Sequence, residues 1–485
     1  MEDDHAELLQ ITDDESSDTE DQDHEHCSST ETPEDDNYLG NCRYPITTSY
    51  SKCEFITTKI ALLFSSASLM ILLPAYLDSM NVKSDAYTLI LLNSSFSILF
   101  LDLIFLIGKF FFKSYKNLWI TNYPIKLSKL IVLSFLYTSS VFLIIYAVDR
   151  KRVMCHLQDP MKGTILVFSL LYYFIFCRKF MGLQRIFSAT TIIVGLFIAV
   201  DYGLCDEFRC RGYERVRVSD DTGNWPWKTH TTWIVVYVVG LALFSGFYTL
   251  LERYLLITET NDIPPSNNTP SLLTTISRTV AFPIVDNGVN IFTNNGQSIN
   301  ERNSKISAVH ISLLIHVLGW IMIVSMFWTD IIPSIGKGSS FTDFFNLSNR
   351  GVICHFTPKL FQNQDFNDCG NIFPFSWLFL GSYILFSIVS VKFLMISQSA
   401  VYTIAVMSSS LPIVGIWWSL FKLVPLQNGG SSIIWSPSLS GELICSLLGL
   451  PIVLIGLFLF YKSHFRDNQW SGLTSNYRTS PPHTA

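Results

Sequence analysis

The chain alternates long apolar runs with short polar breaks, and most of the runs are about as long as a bilayer is thick. Hydrocarbon some 30 Å thick takes about 20 residues of helix to cross. On that criterion the sequence predicts spans at 57–77, 87–108, 128–148, 160–178, 184–202, 231–252, 307–329, 374–395, 398–421 and 440–461. Segments such as IALLFSSASLMILL and LLGLPIVLIGLFLF are apolar on every face and do not alternate, so they predict helices and not barrel strands. The expected fold class is all-α, a polytopic membrane protein with about ten transmembrane helices. Only CRKFMGLQR separates the fourth and fifth runs, and only MISQSA the eighth and ninth. Eight spans with two long helices is therefore the competing count.

The polar segments divide the chain. Residues 1–56 open as an acidic tail too poor in apolar residues to fold alone. A first membrane region of five to six helices at 57–252 is followed by an Asn/Thr/Ser/Pro-rich linker at 253–306. The second membrane region, 307–461, contains a polar insertion at 330–373, and 462–485 form a C-terminal tail. A five-and-five division suggests two inverted halves, a plan common among secondary transporters.

Composition sharpens this picture. The chain is 49% hydrophobic and 15% charged, against about 25% charged in soluble domains. The net charge of -6 belongs mostly to the N-terminal tail and points to no nucleic-acid partner. The acidic N-terminus is the reverse of a secretory signal, so the first span is expected to act as an uncleaved anchor. Soluble-enzyme signatures are missing: there is no GxxxxGK, no paired CxxC and no HExxH. His310 and His316 stand six apart on different faces of a helix, and the His24–Cys27 run lies in a solvated tail. No enzymatic activity, cofactor or metal is expected.

Three signals orient the chain with both termini in the cytosol. Lys109, Lys113, Lys116, Lys126 and Lys129, then Arg178, Lys179 and Arg185, then Lys462 and Arg466 fall on the side of the termini. Cys155, Cys205, Cys210, Cys354 and Cys369 fall on the other side, where disulfides Cys354–Cys369 and Cys205–Cys210 compete with free thiols. The sequon at Asn346 lies on that side too, whereas the sequon at Asn267 would face the cytosol unused. In the tail, Asp4, Leu8 and Leu9 fit the acidic dileucine pattern read by adaptor proteins on endolysosomal routes.

Candidate site residues are polar groups inside the spans, where a charge needs a partner or a wet cavity. Lys392 either holds an anionic group of a solute or snorkels to the interface. Asp102, Glu252 and Glu442 are the other acids in or near spans, the two glutamates being interfacial by position. Tyr137, Tyr172 and Tyr173 offer rings with hydroxyl tips, and Gln398 and Tyr402 open a serine-rich ninth span in which packing competes with pathway lining. Pro74, Pro412 and Pro451 are potential bends.

Three stretches resemble the drug/metabolite transporter superfamily, and within it the nucleotide-sugar transporters of solute carrier family 35. They are Tyr137–Ala147 with Asp159-Pro160 and FCRKFMGLQRIFSATTIIVGLFIA; Phe244-Ser245-Gly246-Phe247 with Glu252-Arg253; and Val391-Lys392 before the serine-rich span. The resemblance covers about residues 57–461 and implies ten helices in two inverted halves with cytosolic termini. It also implies antiport of a nucleotide sugar against a nucleoside monophosphate, most naturally in a Golgi membrane. Leu170 stands where many members carry a lysine, and Met395, Ile396 and Ser399 replace an Asp-Asn pair and a second lysine. A second reading keeps the fold: the insertion at 330–373 and the dileucine loosely resemble chloroquine-resistance-type carriers of endosomes or lysosomes. A third reading is a non-transporting scaffold. A homodimer is compatible with each.

Overall fold

The computed structural model describes residues 52–111, 127–177, 181–200, 207–209, 215–217, 225–260, 308–332, 335–356, 369, 372–425 and 431–477. Twelve helices are described: α1 (Lys52–Lys83), α2 (Ala86–Phe111), α3 (Leu127–Val148), α4 (Cys155–Cys177), α5 (Leu183–Ala199), α6 (Trp227–Thr260), α7 (Ala308–Ser325), α8 (Phe341–Phe356), α9 (Ile372–Ser397), α10 (Ala400–Ser408), α11 (Ser410–Leu420) and α12 (Gly441–Tyr477). Two small antiparallel hairpins pair β1 (Glu207–Arg209) with β2 (Arg215–Arg217) and β3 (Phe421–Pro425) with β4 (Ser431–Trp435). Eight stretches are long and apolar enough to cross a bilayer, with α10 and α11 counted as one. α5, at 17 residues, is a shorter apolar helix, and α4 opens on the polar run from His156 to Lys162.

Contacts between helix ends give the direction of each rod. Glu54, at the start of α1, meets Lys392 near the end of α9, and Glu252, on the last turns of α6, meets the first amide of α10. Arg185, at the start of α5, donates to the His464 carbonyl on α12. At the opposite end Tyr87, opening α2, donates to the Ile323 carbonyl closing α7, and Tyr146, closing α3, meets Thr329. Successive long helices thus alternate between the end where α1 starts, here the N-side, and the far side.

The packing partners are matched. α1 lies on α9 as α3 lies on α6, and α2 packs on α7, α4 on α10 and α5 on α12. The α5–α12 seam is the tightest because glycines line it. A Cβ on Gly449 would lie 2.5 Å from the Ala199 Cβ and 2.6 Å from the Gly195 carbonyl. Without water to expel, such close van der Waals approach is what holds helices together in lipid. Large side chains such as Phe64, Leu99, Phe187 and Phe458 face outward, as a lipid-solvated surface requires.

Four of the eight long apolar stretches precede the linker at 253–306 and four follow it, with α4 and α5 also standing before it. Two expectations from sequence change. The insertion at 330–373 is not a plain loop: it holds α8, tied to α9 by the Cys354–Cys369 disulfide with Cα atoms 5.3 Å apart. The ninth span is two helices, because Pro412 has no amide to donate to the Ser408 carbonyl, four residues earlier, and the helix breaks at Ser409. Cys155 is also disulfide-bonded, while Cys205 and Cys210 lie outside the described residues, as do Asp4, Leu8 and Leu9. Asn346 is exposed on α8.

Candidate functional site

Six rods, α1, α3, α4, α6, α9 and the α10–α11 pair, meet around one cavity midway along the bundle. It leaves about 200 Å³ open to the centres of water molecules. One water takes roughly 10–15 Å³ on that measure, so a solute on the order of fifteen heavy atoms fits. The wall is aliphatic and aromatic: Leu69, Met70 and Leu73 of α1, Ile144 of α3, Tyr237 and Phe244 of α6, Phe379 and Phe386 of α9, and Leu411 of α11. Pro74 and Ser408 lie in this wall, so a proline-bearing turn of α1 and the broken segment of the ninth span both face the cavity.

The cavity lies at mid-height and toward the far side; the N-side half is filled. There Phe55 packs on Phe393 and Tyr461 with ring centroids 5.5 and 5.3 Å apart, and Tyr402 stacks on Phe460 at 5.5 Å. Below these rings Lys392 Nζ pairs with Glu54 at 3.0 Å, both side chains being more than a third exposed. Glu252 accepts the Ala400 amide at 2.6 Å and so supplies one of the missing partners at the start of α10. His464 donates to the Ser397 carbonyl at 2.9 Å. These three bonds lock the ends of α1, α6, α9, α10 and α12 together across the N-side.

One polar chain crosses the apolar wall. His316 Nδ1 lies 2.7 Å from the Ser312 carbonyl, which only accepts, so this nitrogen carries the hydrogen. In the neutral ring Nε2 then accepts, from the Tyr383 hydroxyl at 3.2 Å, and Tyr137 donates to Tyr383 at 2.9 Å. The chain ends on the Tyr137 oxygen, an acceptor at the cavity wall. Tyr137 and Tyr383 also border a smaller adjoining cavity of about 40 Å³, lined further by Asn93, Thr138 and His316. Charge is confined to the rim, where Lys162 is held by Asp159 at 2.7 Å.

Of the residues singled out by sequence, Tyr137 lines the cavity together with Pro74 and Ser408, while the other substrate-site candidates stand elsewhere. Lys392 is in the N-side ion pair. Tyr402 is part of the ring plug, and Gln398 sits at the turn between α9 and α10 with φ 51°. Tyr172 lies against Gly246, about 3.5 Å from where a Cβ would stand, and Tyr173 packs at the edge of the N-side core. The physical reason is common to them: they lie on helix faces or levels that packing between rods has closed. The serine run divides: Ser408 lies in the cavity wall, while Ser409 and Ser410 donate to carbonyls three residues earlier. Sequence reading passed over Tyr383, His316 as a polar member of the wall, and Glu252 as a buried helix cap. A histidine inside an otherwise apolar run was the available signal for the second.

The fold and the cavity together define an all-α polytopic membrane protein with a solute-sized chamber between its helices. No protein-family model matches the chain, and no curated protein matches it.

Proposed function

We propose that the protein is a ten-span carrier of two inverted five-helix halves that moves a small, largely apolar organic solute by alternating access. The observation that carries this reading is the mid-height cavity, closed on the N-side and built by helices from both halves. Two features support the repeat. The packing partners are unchanged when α1–α5 exchange roles with α6, α7, α9, α10–α11 and α12. The α3–α4 and α9–α10 corners, equivalent under that exchange, hold the positive-φ non-glycine residues found among the described residues: Arg150, Lys151 and Gln398. On this reading the N-side plug and the Glu54–Lys392 pair form the closed gate.

The cargo follows from the wall. Rings and aliphatic groups favour an apolar or aromatic body, and an acceptor hydroxyl on Tyr137 favours a solute that presents an N–H or O–H donor. An aromatic amine has both. A nucleotide sugar fits less well, because its phosphates need cations and the lining offers Lys162, already paired with Asp159. The test is exchange in proteoliposomes carrying the full chain, with a labelled aromatic amine beside a labelled nucleotide sugar. Saturable amine uptake that Ser408→Phe abolishes by filling the chamber is the expected result. Nucleotide-sugar uptake against preloaded monophosphate, without amine uptake, overturns the cargo; no uptake of either across a wider solute panel leaves the scaffold reading.

A further inference from the structure

At the far side a second cluster stands apart from the chamber. Asp85, in the two-residue corner between α1 and α2, and Asp330, in the turn after α7, are 0% and 1% exposed. Asp85 Oδ1 caps α2 by accepting the Thr88 amide at 2.7 Å, while its Oδ2 and both Asp330 side-chain oxygens are buried with no closed hydrogen bond, the Lys337 amide being the nearest donor to Asp330. The two carboxyls face each other. Two buried carboxylates in direct contact cannot both stay ionised, so the pair calls for a positive ligand.

The neighbouring cations make their bonds to other groups and reach the pair only through space, Arg150 pulling on the Asp330 charge. Lys337 donates its ammonium to the Asn81 and Ser84 carbonyls at 2.8 and 3.2 Å, clamping the end of α1. Arg150 and Arg152 lie 3.2 and 3.9 Å from Asp149, and Arg152 also bonds the Tyr146 and Ile335 carbonyls and covers Trp233 at 4.4 Å. Tyr87 and Tyr146 complete the titratable groups around the pair. A metal needs more ligands than this, and among the described residues no group of three such side chains exists. What remains is a proton.

We propose that Asp85 and Asp330 form a proton-binding site, holding one shared proton that fastens the α1–α2 corner to the α7–α8 connection. Burial and the neighbouring Asp85 hold the Asp330 carboxyl above its ordinary value, against the opposing pull of the Lys337 amide and the Arg150 charge. An unfolded Asp is ionised above about 4. Between that value and the raised one the folded chain holds one proton more than the unfolded chain, so the joint is firmest at the acid end of the window and loosens as pH rises through it. The site owes nothing to the identity of the cargo and stands or falls separately from it.

The experiment uses the full chain in detergent or nanodiscs and reads two signals. Apparent Tm measured across the window is expected to fall with rising pH, with the folding equilibrium losing up to tenfold per pH unit. Asp330→Asn, which mimics the protonated side chain, flattens that slope, and Asp85→Asn, which removes the partner charge but not the burial, lessens it while keeping an N-cap. Infrared spectra at neutral pH should show a protonated-carboxyl stretching band that Asp330→Asn removes and Asp85→Asn shifts. A wild-type pH slope retained in both variants, or a band that survives both, overturns the proposal. Should one variant fail to fold, the other and the wild-type spectrum still decide it.

Discussion

Tyr383 is the residue on which the polar wall turns, since it accepts from Tyr137 and donates to His316. Removing its hydroxyl leaves the buried imidazole nitrogen with only the long 3.5 Å contact to the Ser387 hydroxyl, and an unsatisfied buried acceptor costs about 1–3 kcal/mol. Tyr383→Phe is therefore expected to lower Tm in detergent. Tyr137→Phe deletes only the last link, so its stability stays within about 1.5 kcal/mol of the parent. Its effect should fall on transport of donor-bearing solutes, as a rise in KM of about tenfold. Equal losses of Tm in the two variants would contradict the direction assigned to the chain. Tyr137 was legible in the sequence as a ring with a polar tip. Tyr383 was not, because nothing in FLGSYILF marks which face meets α3 and α7.

Among elements, the N-side gate depends on α1 and α9 meeting at Glu54 and Lys392. An exposed ion pair contributes little stability, about 0–1 kcal/mol, so its value on this reading lies in which end is shut. Lys392→Glu is expected to speed opening of the N-side, seen as faster labelling of a cysteine at Phe393. The double change Glu54→Lys with Lys392→Glu restores the slow rate; failure of that rescue removes the pair from the gate. The α5–α12 seam has a different character. Gly449→Val drives a branched side chain into Ala199 and the Gly195 carbonyl, and overpacking of this kind costs roughly 1–3 kcal/mol. Unlike the gate variants, it should lower Tm without shifting the balance between the two ends.

For the whole molecule, the Ser84 and Thr88 hydroxyls at the α1–α2 corner donate to Leu347 and Ser348 of α8, which places α8 and its sequon at the end opposite the start of α1. Asn346→Gln is accordingly expected to abolish an endoglycosidase-sensitive mobility shift, and an unshifted wild type would argue against that placement. Apolar runs of bilayer length, with no polar period, determined by themselves that this chain is a bundle of membrane helices. A proline four residues beyond Ser408 and an aspartate at the head of α2 were local signals of a break and a cap. Which faces of those rods enclose space was decided only by the tertiary structure. In a run apolar on every side, hydrophobicity does not tell lipid from chamber, and the choice rests on close packing at glycines and on hydrogen bonds between residues hundreds of positions apart. For the same reason the sequence left Lys392 open between a solute anion and the interface until Glu54 was seen beside it, and it gave no sign that Asp85 and Asp330 are neighbours.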